Sequence, residues 1–148
     1  IMKYRFQYMT FFLVFFFCFT FVFSNNASLD SLKNKNYITF EDIALPLVTE
    51  LRLSGASTST SDAISILLTN FPKLKNISHD SYLCYDDISL IAMQIWDLSG
   101  GFFYSILQNK HYSFRELQYK GFISNDIDPM KQISGKEAYN LLFAISQN

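Results

Sequence analysis

The chain has 148 residues, of which 49% are hydrophobic and 18% aromatic, and its formal net charge is −1. Nine of its sixteen Phe lie within the first 23 residues, so these averages combine two segments of different composition. From residue 25 onward the chain has ten Lys or Arg against thirteen Asp or Glu, with the apolar content of a globular domain. This composition argues against a disordered chain, a disulfide scaffold and a basic nucleic-acid binder.

The first 24 residues have the pattern of a secretory signal. Lys3 and Arg5 form a basic start, an almost unbroken apolar run extends from Met9 to Phe23, and Ser24 is a small residue at the cleavage position. The run is shorter than the roughly 20 apolar residues of a membrane-spanning helix. We therefore predict a signal peptide over residues 1–24 and export to the periplasm or cell envelope. An uncleaved membrane anchor is one alternative, and lipidation at Cys18 is another, although the bulky Phe17 stands where a lipobox has a small residue.

Residues 25–36 are polar and lack aromatic side chains, which indicates a linker. Residues 37–148 form the predicted domain, and they contain an internal repeat at an offset of 45. Segments 37–55 and 82–100 are identical at seven of nineteen positions, including a Tyr at the start of each. Both segments have helical apolar periodicity and end in Leu-Ser-Gly, where Gly suits the left-handed residue that closes a helix.

Capping boxes mark two further helix starts. Ser134 is followed three residues later by Glu137, and Ser113 is followed by Glu116. The second box should open a short helix that ends at Gly121, since Gly adopts the conformation that closes a helix.

Weaker capping signals mark the helix that follows Thr39 and the one that follows Ser59, where Asp replaces Glu as the reciprocal partner. Pro46 falls inside the first of these helices and should kink or delay it, because proline removes a hydrogen bond. No strand-like alternation continues for long. We therefore predict an all-α domain of short capped helices.

Three segments share an apolar residue, a capping position, an acidic residue three positions later and a helical apolar stripe: residues 38–48, 83–93 and 133–143. A helix that ends in Lys-Gly-Phe-Ile and an Asp-Pro turn precede the third segment. Residues 102–143 resemble an S-layer homology (SLH) repeat. Residues 100–117 are also similar to SLH-like exported envelope proteins of spirochaetes.

The resemblance implies a bacterial module that is anchored to the cell wall or organised around it, built here from degenerate SLH-like repeats. Family members bind wall-linked polysaccharide in grooves between repeats, using an Arg just after the capping residue. The matching positions in this chain hold Phe40, Tyr85 and Gly135. This departure from the family pattern favours a scaffold or protein-docking role over glycan binding.

His111, Tyr112, Arg115 and Trp96 are the candidate binding residues, and we expect them to line a groove between helices. Arg can bind a carboxylate or phosphate in bidentate fashion, and His111 lies four residues before Arg115, on the same face if the helix extends that far. In the alternative interpretation Ser113 caps the helix, so His111 lies outside it and Arg115 is solvated or pairs locally.

No pattern in the sequence indicates an enzyme, a cofactor or a metal site. Cys84 has no His placed in sequence as a base, so we predict a buried structural cysteine. Residues 125–129 lack the ligand spacing of a calcium loop and predict a turn. Trp96 and the aromatic residues 102–104 are typical of core or repeat packing rather than of a sugar-stacking platform.

We therefore predict a non-enzymatic, exported cell-envelope module. It would bind or organise an envelope component, either a wall-associated polymer or a protein partner, through grooves between helical repeats. The alternative is a membrane-tethered structural subunit of an envelope protein assembly that binds no glycan. Nucleic acid is not an expected partner, and contact with the membrane is expected only if the N-terminal segment is uncleaved.

Overall fold

The computed structural model describes residues 27–53 and 59–147, so the predicted signal segment lies outside the described residues. The described part is all-α, as predicted, and contains no sheet. No helix in these two ranges is long and apolar enough to cross a membrane. The α-helices are α1 (Ala27–Asp30), α2 (Phe40–Glu50), α3 (Thr60–Asn70), α4 (Tyr85–Ile95), α5 (Phe102–Leu107), α6 (Lys110–Tyr119) and α7 (Gly135–Ser146), with 3-10 helices at Ser31–Asn34 and Pro72–Asn76.

The described part of the predicted polar linker, residues 27–36, belongs to the domain. It contains α1 and the 3-10 helix Ser31–Asn34, which packs against α7. Leu29 and Leu32 lie on one face of this segment and are buried, with Leu32 only 1% exposed. The linker prediction was wrong because these two leucines supply enough apolar surface to hold an otherwise polar segment against the core.

Three of the helices, α2, α4 and α7, begin with the same hydrogen bond. In each, the acidic residue at the third helical position accepts from the main-chain N–H of the residue before the helix, at 2.9 Å: Asp42 from Thr39, Asp87 from Cys84 and Glu137 from Ser134. The capping box predicted at Ser134 is confirmed, and the box at Thr39, predicted to be weaker, is complete. These bonds satisfy donors that a helix start leaves unpaired.

The residues just before the capping positions of these helices are joined to one another, and we call this region the junction (Ile38, Leu83 and Ile133). The Leu83 N–H donates to the Ile38 carbonyl at 2.8 Å, and the Leu83 carbonyl accepts from the Ile133 N–H at 3.0 Å. All three side chains are at most 1% exposed. The junction therefore holds the starts of α2, α4 and α7 together inside the core.

The central helix of the core is α4, since nine of its eleven residues are buried. It packs against α6 and α7, while α3 packs against α2. Pro46 lies inside α2, which nevertheless begins six residues earlier at Phe40. The predicted delay of this helix is therefore wrong.

Left-handed residues follow α2, α4, α5 and α6, but glycine occupies only one of these four positions. The residues are Arg52 with φ 54°, Asp97 with φ 45°, Gln108 with φ 39° and Gly121 with φ 79°. The predicted stop at Gly121 is therefore confirmed. The expectation that Gly100 closes α4 is wrong, because Asp97 already takes the left-handed conformation and the Leu98 N–H returns to the Met93 carbonyl at 3.1 Å. The equivalent Gly55 lies outside the described residues.

Helix α6 begins earlier than predicted. Its cap is Asn109, whose side chain accepts from the Tyr112 N–H at 3.1 Å. Ser113 is buried within the helix and donates to the Asn109 carbonyl at 2.8 Å, while Glu116 accepts from the Gly101 N–H at 2.8 Å. The capping box predicted at Ser113 is wrong, because Asn109 caps the helix one turn earlier and the Glu116 carboxylate satisfies a different amide.

Candidate functional site

Three of the four predicted site residues lie together on α6. His111 and Arg115 are exposed, and the half-buried Tyr112 touches His111 edge to face, with 5.2 Å between ring centroids. The alternative that places His111 outside the helix is wrong, since α6 begins at Lys110. Trp96 instead caps the C-terminus of α4 and packs against the core, and in the described ranges no ring contact or hydrogen bond joins it to the other three.

A small cleft lies beside Arg115, and we call it the Arg115 cleft. Its volume is about 350 Å³. It is lined by Arg115, Glu116, Gln118, Tyr119 and Asn125. Within the described ranges no carboxylate lies in ion-pair distance of the Arg115 guanidinium, so this group is available to an anionic partner.

A larger cleft, of about 580 Å³, opens next to the junction, and we call it the Tyr37 cleft. Its lining residues flank Ile38 and Ile133 in the chain: Asn36, Tyr37, Lys131, Gln132, Ser134 and Glu137. The ring of Tyr37 packs against the ring of Tyr82, with 5.4 Å between their centroids and an interplanar angle of 44°. The two side chains are 48% and 51% exposed, so this aromatic pair is accessible to a ligand.

The charged groups of the Tyr37 cleft are paired internally. Burial alone would raise the pKa of Glu137, but hydrogen bonds from Ser134, Lys131 and Tyr85 outweigh it and lower this pKa to about 2. Lys131 Nζ lies 3.2 Å from the Glu137 carboxylate. Burial and the neighbouring Glu137 carboxylate raise the pKa of Tyr85 to about 12. At neutral pH the cleft therefore offers hydroxyl, amide and aromatic groups together with a compensated ion pair.

The three positions that the sequence resemblance pairs with an Arg cannot present a side chain to a ligand. Phe40 is completely buried and Tyr85 is 6% exposed. At Gly135 a Cβ atom would lie 1.8 Å from the Leu32 carbonyl oxygen, so the 3-10 helix Ser31–Asn34 fills the space that a side chain would need. Position 135 therefore has no room for a larger side chain.

Cys84, Asp86 and Asp87 lie close together at the start of α4, with potential ligand atoms within 4.8 Å of one another. The Asp87 carboxylate forms an ion pair with Lys110 and accepts a hydrogen bond from the Cys84 N–H. Asp87 and the Cys84 main chain are therefore already used at the start of α4. Burial, followed by the charges of Asp87 and Asp86, raises the pKa of the Cys84 thiol and keeps it protonated. Cys84 is half-buried rather than buried as predicted, because the capping position lies at the edge of the core.

Sequence reasoning missed the Tyr37 cleft. Tyr37 and Tyr82 occupy equivalent positions of the 45-residue repeat, and this identity was a usable signal. Lys131 and Gln132 follow the Asp128-Pro129 turn, which is present as predicted, with the Met130 N–H donating to Asp128 at 2.8 Å.

No protein-family model matches the chain, and the searches of curated proteins and of solved structures find no match either. The likeness to SLH repeats therefore rests on the sequence pattern.

Proposed function

We propose that the chain is a non-enzymatic, exported module of the bacterial cell envelope that binds a wall-associated polymer through the Tyr37 cleft. The observation that carries this proposal is the half-exposed pair of Tyr37 and Tyr82 beside a polar cleft at the junction. The signal-like residues 1–24 support export, and the SLH-like pattern supports the cell wall as the location.

The chemistry of the cleft favours an uncharged stretch of polymer. A tyrosine ring offers an apolar face to the C–H side of a sugar ring, and its hydroxyl can hydrogen-bond at the rim. Asn36, Gln132 and Ser134 supply donors and acceptors beside the rings. Because Lys131 is paired with Glu137, the cleft has no free cation to select an anionic ligand.

The second candidate is a membrane-tethered structural subunit that binds no glycan. It is favoured by the burial of Phe40 and Tyr85 and by the packing of Gly135, which remove the cationic groove of the family. A protein partner would then be held by exposed groups elsewhere, and His111, Tyr112 and Arg115 on α6 are the candidates for that contact.

Co-sedimentation of the purified chain with wall sacculi, before and after removal of wall-linked polysaccharide, tests the first function. We expect the wild type to pellet with intact sacculi and to stay in solution with stripped sacculi. The double variant Tyr37→Ala/Tyr82→Ala should bind at least about tenfold more weakly, because both aromatic rings that could pack against a sugar are removed. Tyr119→Ala removes a tyrosine that is 90% exposed and should bind like the wild type.

The outcomes separate the two candidates. Absence of pelleting, or equal pelleting by Tyr37→Ala/Tyr82→Ala, contradicts polymer binding at this cleft. Pelleting that survives stripping and is lost in Arg115→Ala favours a protein partner at the Arg115 cleft. If Arg115→Ala leaves binding to every envelope component unchanged, the assignment of Arg115 fails.

A further inference from the structure

A further cleft lies where α4 ends and α5 begins, and we call it the α4–α5 cleft. Its volume is about 310 Å³. It shares no lining residue with the Tyr37 cleft, so a ligand here goes beyond the function proposed above. The polar residues of its lining come from the two helices and the segments at their ends: Gln94, Asp97, Ser99, Tyr104, Ser105 and Gln108.

The Tyr104 hydroxyl is held in place in this cleft. The residue is only 5% exposed, and its ring packs so closely on Gly100 that a Cβ there would clash with it. Gln94 Nε2 donates to the hydroxyl oxygen at 3.0 Å. Among the described residues no hydrogen bond uses Gln94 Oε1. The cleft therefore offers two neighbouring oxygen acceptors, the Tyr104 hydroxyl and Gln94 Oε1.

Asp97 places a carboxylate in the same cleft. Its side chain is exposed, and within the described ranges no cation lies in ion-pair distance of it. The residue follows Trp96, the C-cap of α4, and has the left-handed φ of 45° that glycine adopts without strain. A strained residue with a chemically active side chain is typical of a functional position.

The charges that act on this cleft are negative. Burial raises the pKa of Tyr104, the hydrogen bond from Gln94 opposes this shift, and the carboxylates of Asp97 and Glu116 add to it. The carbonyl end of α4 lies at the same place and carries a partial negative charge. A cationic ligand is therefore favoured over an anionic one.

One lysine already bonds to a residue of the cleft. Lys73 Nζ donates to Gln108 Oε1 at the C-cap of α5. Lys73 is not among the groups that shift the pKa of Tyr104, so it leaves the charge of Asp97 uncompensated. The contact shows that a side-chain oxygen of this cleft accepts a hydrogen bond from an ammonium group.

We propose that the α4–α5 cleft binds a primary ammonium group. Such a group has three N–H donors. The Asp97 carboxylate, Gln94 Oε1 and the Tyr104 hydroxyl oxygen are the matching acceptors, since Gln94 bonds to Tyr104 and lies three residues before Asp97. An anionic ligand would be repelled by the Asp97 carboxylate and by the negative end of α4.

The test titrates the ¹⁵N-labelled full chain with n-butylamine at pH 7 and constant ionic strength. We expect a saturable shift of the amide resonance of Gly100, which lines the cleft, and none at Gly135, at the start of α7. Two probes of similar size separate charge from hydrogen bonding. n-Butanol lacks the charge and butyltrimethylammonium lacks the N–H donors, so both should bind at least about fivefold more weakly.

Asp97→Asn removes the charge and keeps a residue that tolerates the left-handed conformation, so its thermal unfolding should match that of the wild type. It should bind n-butylamine about fivefold more weakly, which corresponds to the loss of a favourable exposed ion pair. Glu41→Gln removes an exposed carboxylate outside the cleft and should bind like the wild type.

Absence of a saturable shift at Gly100, an equal shift at Gly135, equal binding of n-butanol, or equal affinity of Asp97→Asn would overturn the proposal. Nα-acetyl-lysinamide carries the same ammonium group on a peptide unit and identifies its source. Stronger binding of this probe than of n-butylamine would support a lysine side chain as the bound group, and weaker binding would support a free amine.

Discussion

The junction and the exposed side of α5, here called the α5 face (Phe102, Phe103, Ile106 and Leu107), differ in the burial of their apolar side chains. At the junction, Ile38, Leu83 and Ile133 are buried, and their main chains are hydrogen-bonded to one another. On the α5 face, side chains of similar hydrophobicity are half or more exposed on a helix whose other side is anchored. The comparison teaches that apolar side chains of one type contribute very differently to stability according to their burial. Substitutions at the junction should destabilise the fold, and those on the α5 face should leave its stability nearly unchanged.

The largest expected effect is at the centre of the junction. Leu83→Ala should lower the free energy of unfolding by about 2–5 kcal/mol, because a buried leucine leaves a cavity. Leu107→Ala is the matched control on the α5 face, where the side chain is 49% exposed, and it should cost less than about 1 kcal/mol. Urea denaturation of both variants measures the difference in their free energies of unfolding. Similar losses of stability in the two variants would contradict the contrast between the junction and the α5 face.

Gly135→Ala should be the next most damaging change. The new Cβ would meet the Leu32 carbonyl oxygen at 1.8 Å, and this main-chain atom cannot rotate away. We expect a loss of about 1–3 kcal/mol by urea denaturation, as is usual for overpacking. Gly101→Ala is the control, because its nearest neighbour is the flexible end of Glu116 at 2.9 Å. A loss as large in the control would show that close packing on Ser31–Asn34 is not the cause.

Glu137→Gln should have a moderate effect that depends on pH. At pH 7 we expect a loss of about 1 kcal/mol, because one capping interaction is weakened. The pKa of Glu137 is lowered from 4.5 to about 2, so its ionised form stabilises the folded state fully above pH 4.5. That stabilisation disappears as the pH falls from 4.5 to about 2.

Thermal unfolding at several pH values measures this dependence. The wild type should lose more stability than Glu137→Gln over the acid range, so the two curves converge. Parallel curves would contradict the role given to the Glu137 carboxylate. Glu41→Gln removes an exposed carboxylate from the first turn of α2 and should cost less at pH 7 than Glu137→Gln.

The smallest effect on stability is expected for Phe102→Ser. The side chain is 74% exposed, so its removal should change the free energy of unfolding by less than about 0.5 kcal/mol. Urea denaturation checks this value. A loss above 1.5 kcal/mol would show that the α5 face contributes to the core after all.

Local signals predicted the helix starts well where the partners lie within one turn. The box of Ser134 and Glu137 is an example, since both hydrogen bonds join residues three apart. The equivalent signal at Ser113 was misleading, because Glu116 bonds to Gly101, fifteen residues away in the chain. A choice between a local and a distant partner depends on the tertiary fold, which a local pattern does not contain.

Burial was harder to predict than secondary structure. The aromatic residues 102–104 were expected to pack in the core or between repeats. Only Tyr104 is buried, because only one side of α5 packs against the rest of the domain. Conversely, Leu29 and Leu32 looked like parts of a linker and are in the core. The Tyr37 cleft combines segments almost a hundred residues apart, so its lining could not be found from spacing.

The most direct measurement compares two double variants in one binding assay. Tyr37→Ala/Tyr82→Ala and Phe102→Ser/Phe103→Ser are each tested with intact sacculi and with sacculi stripped of wall-linked polysaccharide. The account predicts that the first variant loses binding to intact sacculi and that the second binds them like the wild type. Loss of binding in both variants, or binding like the wild type in both, would contradict the assignment of polymer binding to the Tyr37 cleft.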